Sequence, residues 1–154
     1  MLKDRIQTDL KQAMLGGDKE RASVLSMLKS AILYAEVAAN ARESGLPDQD
    51  IERVLAKEAK QRQDSADVYE QAGALDKRDK ELVEKAIVEE YLPTQMDDAA
   101  LHHALDTIIH DNGPLSPQTM GRIIGVAKQQ LGSQADGGRI ATYVKQQLDK
   151  ETDQ

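Results

Sequence analysis

The sequence has 154 residues, with 27 acidic against 20 basic side chains and a net charge of −7. It has no Cys, which excludes disulfides, thiolate catalysis and Cys-based zinc sites. An overall negative field repels nucleic acid, so any RNA contact must come from a local basic patch.

The length fits one domain, or a larger and a smaller one. Phe and Trp are absent and only four Tyr occur, so Leu, Ile, Val, Met and Ala must fill the core. Ala-rich faces let helices approach closely, whereas sheets favour β-branched and aromatic side chains. The composition therefore points to helices. Met1-Leu2-Lys3-Asp4-Arg5 lacks the apolar run of a signal peptide. No stretch approaches the ~18 apolar residues of a membrane span. A cytoplasmic location away from the membrane is expected.

Gly and Pro punctuate the chain. Residues 2–15 predict a first helix with Leu2, Ile6, Leu10 and Met14 inward, ended by Gly16-Gly17. Asp18 is a good N-cap for a second helix. This helix carries two adjacent apolar stripes: Leu25, Leu28, Ile32, Ala35 and Ala39, and Val24, Met27, Ala31, Tyr34 and Ala38. Such a wide face predicts burial against more than one neighbour. Gly45-Leu46-Pro47 should break this helix, and Asp48 should cap the third. The third stripe is Ile51, Leu55, Ala59, Ala66 and Tyr69, closed by Gly73. A fourth helix is expected from about Leu75 to Tyr91, with Leu82, Val83, Ala86 and Ile87 inward. Pro93 disfavours helical geometry at Leu92 and should stop it.

Three shorter helices follow. Asp97 should cap one that carries Leu101, Leu105, Ile108 and Ile109 and ends at Asn112-Gly113-Pro114. Ser116 before Pro117 reads as an N-cap and first helical position, ahead of Met120, Ile123, Ile124, Ala127 and Leu131. After Gly132, Asp136 should open a last helix with Ile140, Tyr143, Val144 and Leu148 inward, fraying from about Glu151. No alternating strand pattern stands out. The expectation is an all-α chain: an N-terminal long-helix bundle, residues 1–92, then a small three-helix unit, residues 93–150. Charge does not separate the parts, since residues 1–92 carry 15 basic and 19 acidic side chains and the remainder 5 and 8.

His102, Asp106 and His110 share one helix at four-residue spacing. They lie off its apolar face, so a solvated polar face outweighs a metal site. Glu89-Glu90 and Asp97-Asp98 read as a helix edge and a helix N-terminus rather than a hydrolytic pair. Phosphate-cradling loops and serine-elbow motifs are missing. Gly121 and Gly125, four apart, should let a neighbouring helix come close, since each costs about 1 kcal/mol relative to Ala. At Asp136-Gly137-Gly138-Arg139 a structural cap outweighs a phosphate site. Arg53, Lys57 and Lys60 form a stripe at i, i+4, i+7 with Arg62 nearby, and acids interleaved with them suggest ordinary ion pairing. In the C-terminal unit the main cations are Arg122, Lys128, Arg139 and Lys145. Neither set has the regular aromatic interleaving of a base-stacking surface, Tyr143 being the single ring among them, which argues against base stacking.

The run from Lys57-Glu58-Ala59-Lys60-Gln61-Arg62 through Val68-Tyr69-Glu70-Gln71-Ala72-Gly73 to Glu89-Glu90-Tyr91-Leu92-Pro93-Thr94-Gln95-Met96 resembles the YqeY family, also called GatB/YqeY domain proteins. Asp18-Lys19-Glu20-Arg21, Met120-Gly121-Arg122-Ile123-Ile124-Gly125 and Ala135-Asp136-Gly137 agree in order and spacing, so the resemblance spans nearly the whole chain. Two departures, Gln61 in place of a basic residue and Ala74 in place of an Arg, both lower the local positive charge. The resemblance implies an all-helical fold in two parts, akin to the tail of GatB. GatB is a subunit of the amidotransferase that converts misacylated Glu-tRNA(Gln) or Asp-tRNA(Asn), and its tail resembles a tRNA-docking appendage. Phosphorylation, ammonia transfer and glutamine hydrolysis belong to other domains and subunits. A label of carbon–nitrogen ligase with glutamine as amido-N-donor would thus carry over an activity whose machinery is not visible here. The leading expectation is a non-catalytic accessory module without a cofactor. It would contact tRNA, an amidotransferase or another translation-linked protein. Arg122, Lys128, Arg139 and Lys145 would supply backbone contacts. The alternatives are a protein–protein adaptor using an exposed apolar groove on the N-terminal bundle, or amidotransferase-type activity only as part of a larger complex.

Overall fold

The computed structural model describes residues 1–153. The described chain is all-helical: α1 (Leu2–Leu15), α2 (Lys19–Ala38), α3 (Asp48–Gln71), α4 (Leu75–Glu89), α5 (Asp98–Asn112), α6 (Met120–Leu131) and α7 (Gly137–Thr152), with one 3-10 turn at Gly132–Gln134. It divides into two compact units, Met1–Leu92 and a second beginning at Pro93.

In the first unit α1 packs on α2, and α3 and α4 form a long antiparallel hairpin against α2. Its core joins Leu2 and Ile6 of α1, Leu25, Leu28 and Ile32 of α2, Ile51 and Leu55 of α3, Val88 of α4, and Tyr91. Asp18 caps α2 as expected, its carboxylate accepting from the Arg21 amide at 3.1 Å. Gly17 and Gly73, at φ of 75° and 74°, end α1 and α3 in left-handed geometry that suits a residue without Cβ.

Four expectations for this unit need correction. Met14 is 68% exposed, and Ala13, seven residues after Ile6, takes the inward position instead. α2 stops at Ala38, well before Gly45, because Asn40 adopts φ 56°. The Ala41 amide then bonds the Glu36 carbonyl at 2.8 Å and the Asn40 amide that of Val37 at 3.1 Å, a Schellman end made with Asn. Asp48 is the first residue of α3 rather than its cap; Pro47 precedes it, and the Asp48 carboxylate accepts from the Leu2 amide at 3.1 Å, tying down the start of α1. On α4 the inward line is Glu84 and Val88, continued by Tyr91 just past its end, while Leu82 and Val83 are exposed. The cause lies on α3, whose buried stripe Ile51, Leu55, Ala59, Arg62 and Ala66 includes an arginine. Arg62 is only 4% exposed and pairs with Glu58 at 2.8 Å and Glu84 at 3.5 Å. A buried guanidinium needs acidic neighbours, so α4 turns Glu84 inward.

The second unit closes around Leu101, Leu105 and Ile108 of α5, Ile123 and Ala127 of α6, and Ile140, Val144 and Leu148 of α7. Asp97 caps α5, accepting from the Ala100 amide at 2.7 Å. Ser116 caps a turn over Pro117–Thr119, its hydroxyl accepting from the Thr119 amide at 3.3 Å, and α6 begins only at Met120. α7 runs on to Thr152, past the expected point of fraying.

Candidate nucleic-acid interface

The four cations singled out in the second unit have different surroundings. Arg139 donates to the Met96 carbonyl at 3.0 Å and to Asp98 at 2.9 Å, so it ties the first turn of α7 to the entry of α5. Arg122 is exposed and donates to the Asn112 carbonyl at 2.8 Å, at the C-terminal end of α5 where cations are favoured. Lys145 on α7 is exposed. Lys128 is exposed too and makes no ion pair among the described residues; its stem lies against the start of α7, where a Cβ on Gly137 would come 2.9 Å from Lys128 Cε. Asp136 caps that helix, accepting from the Gly138 amide at 3.2 Å, so its carboxylate occupies the place an anion would take.

Gly121 and Gly125 overturn the expected close helix contact. Both are exposed, and a Cβ added to either meets no atom within 4 Å. With Ile123 and Ala127 inward, Gly121, Gly125 and Lys128 share the opposite, solvent face of α6. That face is bare backbone flanked by Arg122 and Lys128. No carboxylate occurs between Asp111 and Asp136, although acids outnumber bases in the chain. This local inversion of charge was readable in the sequence and is a stronger signal than the cations taken singly.

The other histidine and acid groups are occupied otherwise. His102 stacks on Tyr143 with ring centroids 4.1 Å apart, and the Tyr143 hydroxyl donates to Asp106 at 2.7 Å. Partial burial and Asp106 push the Tyr143 phenol up to about 12. His110 sits beside Asp111 only, and no group of three or more His, Asp or Glu among the described residues has metal-site geometry. In the first unit Tyr91, of the Tyr91-Leu92-Pro93 motif, is clamped. Its hydroxyl donates to Asp9 at 2.5 Å and accepts from Arg21 at 3.2 Å, and the Arg5 guanidinium lies 4.7 Å over its ring. Burial, then Asp9, pushes this phenol up to about 12.

Between α2 and α3 an open groove of about 610 Å³ is lined by Ser26, Met27, Ser30, Ala31, Tyr34 and Ala35 from α2 and by Val54, Lys57, Glu58 and Gln61 from α3. α2 packs on α1, α3 and α4, and Val24 of its second apolar stripe is buried, but Met27, Ala31 and Tyr34 of that stripe border open space, Tyr34 being 77% exposed. An aromatic ring and a lysine absent from each other's sequence neighbourhood thus line one groove.

These helices carry the segments on which the family resemblance rests, and the Yqey-like protein family matches residues 3–148. The chain belongs to the YqeY-like family. No curated protein matches it. Among the described residues of this YqeY-like chain, no helix is long and apolar enough to cross a membrane.

Proposed function

We propose that this YqeY-like protein is a non-catalytic accessory module that docks on the phosphate backbone of RNA, with tRNA the first candidate, through the solvent face of α6. The carrying observation is that this face exposes Gly121 and Gly125 with no internal packing reason, beside Arg122 and Lys128 and without a carboxylate. Gly125, inside α6, costs about 1 kcal/mol relative to alanine, and Gly121, in its first turn, adds a smaller cost. That expense is recovered when a bulky, flat or charged backbone must come close to the helix. Lys128 and Lys145 are free to meet phosphates, and Arg122 keeps donors beyond its one carbonyl bond. Arg139 serves in this reading as the residue that holds α7 and the α5 entry in place. For amidotransfer the module would act only within a larger complex whose other subunits carry the chemistry.

The test is tRNA binding as a function of salt. Each phosphate contact released should flatten the slope of log K against log salt by about 1. Arg122→Glu and Lys128→Glu should each weaken binding and flatten that slope. Gly125→Gln meets no internal atom and favours helix, so it should stabilise the fold by somewhat under ~1 kcal/mol while weakening binding. Binding that ignores salt and all three substitutions would sink the proposal.

A further inference from the structure

We infer that the α2–α3 groove of the first unit is a docking site for an acidic amphipathic helix of a partner protein. Three observations carry this. First, α2 presents apolar residues at helical spacing that its own chain leaves uncovered: Met27, Ala31 and Tyr34 line the groove, with Val54 opposite. An amphipathic helix laid in such a groove would bury them. Second, the α2 wall is uncharged. From Ala22 to Ala41 the only ionisable side chains besides Tyr34 are Lys29 and Glu36, and Glu36 is buried against Lys3 at 2.7 Å. Third, the charge at the α3 wall is positive. Glu58 is engaged by Arg62 at 2.8 Å, whereas Lys57 makes no ion pair among the described residues. Sequence denies Lys57 an intrahelical partner, because Arg53, Val54, Lys60 and Gln61 occupy the positions three and four away. In a chain with net charge −7, an unpaired ammonium beside an uncharged apolar wall fits a carboxylate-bearing occupant. A second copy of this chain fits less well, since a two-fold pairing of grooves brings Lys57 towards its own equivalent. Met27 adds adaptability: its thioether lines the groove and also accepts weakly from Arg62 at 3.8 Å.

The probe is a fluorescein-labelled amphipathic helical peptide with Leu at i, i+3, i+4 positions and Glu on the flanks, alongside a twin with Lys for Glu. Titrated with the full-length protein, the Glu peptide should bind at least tenfold tighter than its twin and shift the NMR signals of the Met27 methyl and Tyr34 ring. Lys57→Glu should reverse that preference, and Tyr34→Asp, at an exposed position, should weaken the Glu peptide about tenfold while leaving the circular dichroism spectrum unchanged. Equal affinity for the two peptides, or shifts elsewhere only, would overturn the inference. So would oligouridine RNA that competes for Tyr34, which would mark a base-stacking surface, or a dimer in sedimentation that Tyr34→Asp dissolves, which would mark the groove as a self-interface.

Discussion

Arg62 shows how one residue sets the rotation of a helix. Its side chain is 5% exposed, while Glu58 and Glu84 are 21% and 18% exposed. Removing one member of a buried ion cluster strands the others, at about 3–5 kcal/mol. The partial exposure of both glutamates lets water relieve some of that, so Arg62→Met should cost at or below the low end of this range in urea unfolding. Replacing all three, Arg62→Met with Glu58→Gln and Glu84→Gln, should restore most of the loss, because no uncompensated charge remains. The two caged phenols give a pH signature. In the unfolded chain a tyrosine titrates near 10, but Tyr91 and Tyr143 are pushed up to about 12 in the folded protein. The folded state therefore holds more protons between these values. Their contribution is fully present below pH ~10 and is lost as pH rises towards ~12. Denaturant midpoints should fall across that window, and Tyr91→Phe together with Tyr143→Phe should flatten the fall.

At the scale of helices, α5 ends where Gly113 has no room for a side chain: a Cβ there would lie 2.8 Å from the Ile109 carbonyl oxygen, a backbone atom that cannot swing away. Gly113→Ala should destabilise the second unit by about 1–3 kcal/mol, measurable as a lower denaturant midpoint, whereas alanine at Gly121 or Gly125 should raise it. Much of the fold was legible because it rests on local rules. Asp18, Asp97 and Asp136 announce helix starts by chemistry that acts within three residues. What was missed depends on neighbours distant in sequence. Asn40 ends α2 by a left-handed conformation that asparagine tolerates but does not advertise. Leu82 and Val83 looked inward until the buried Arg62 claimed Glu84. The candidate sites divide the same way. The carboxylate-free run around α6 is written in the sequence, but the openness around Gly121 and Gly125 follows from where other helices are not. Tyr34 and Lys57 line one groove only because α2 and α3 pack side by side.

For the molecule as a whole, the two units carry separate hydrophobic clusters, one centred on Leu25 and Leu55, the other on Leu105 and Ile123. The second unit has roughly 60 residues, a size at which domain stability is marginal. Thermal unfolding should therefore resolve into two steps, with the second unit melting first, and fragments cut between Leu92 and Pro93 should each remain helical by circular dichroism. A single cooperative transition would contradict this. The caged phenols bear on how such steps are seen. The protein lacks Trp, so its near-ultraviolet emission comes from four tyrosines. Two of these donate to carboxylates, Tyr91 to Asp9 and Tyr143 to Asp106, one in each unit. A phenol held on a carboxylate can lose its excitation by passing that proton across, so both rings should be quenched in the folded state and should brighten when their unit opens, as fluorescence during unfolding would read. Tyr34 and Tyr69 emit from the first unit as a background, so Tyr91→Phe should leave the brightening of Tyr143 as the signal of the second unit, and Tyr143→Phe that of Tyr91 as the signal of the first.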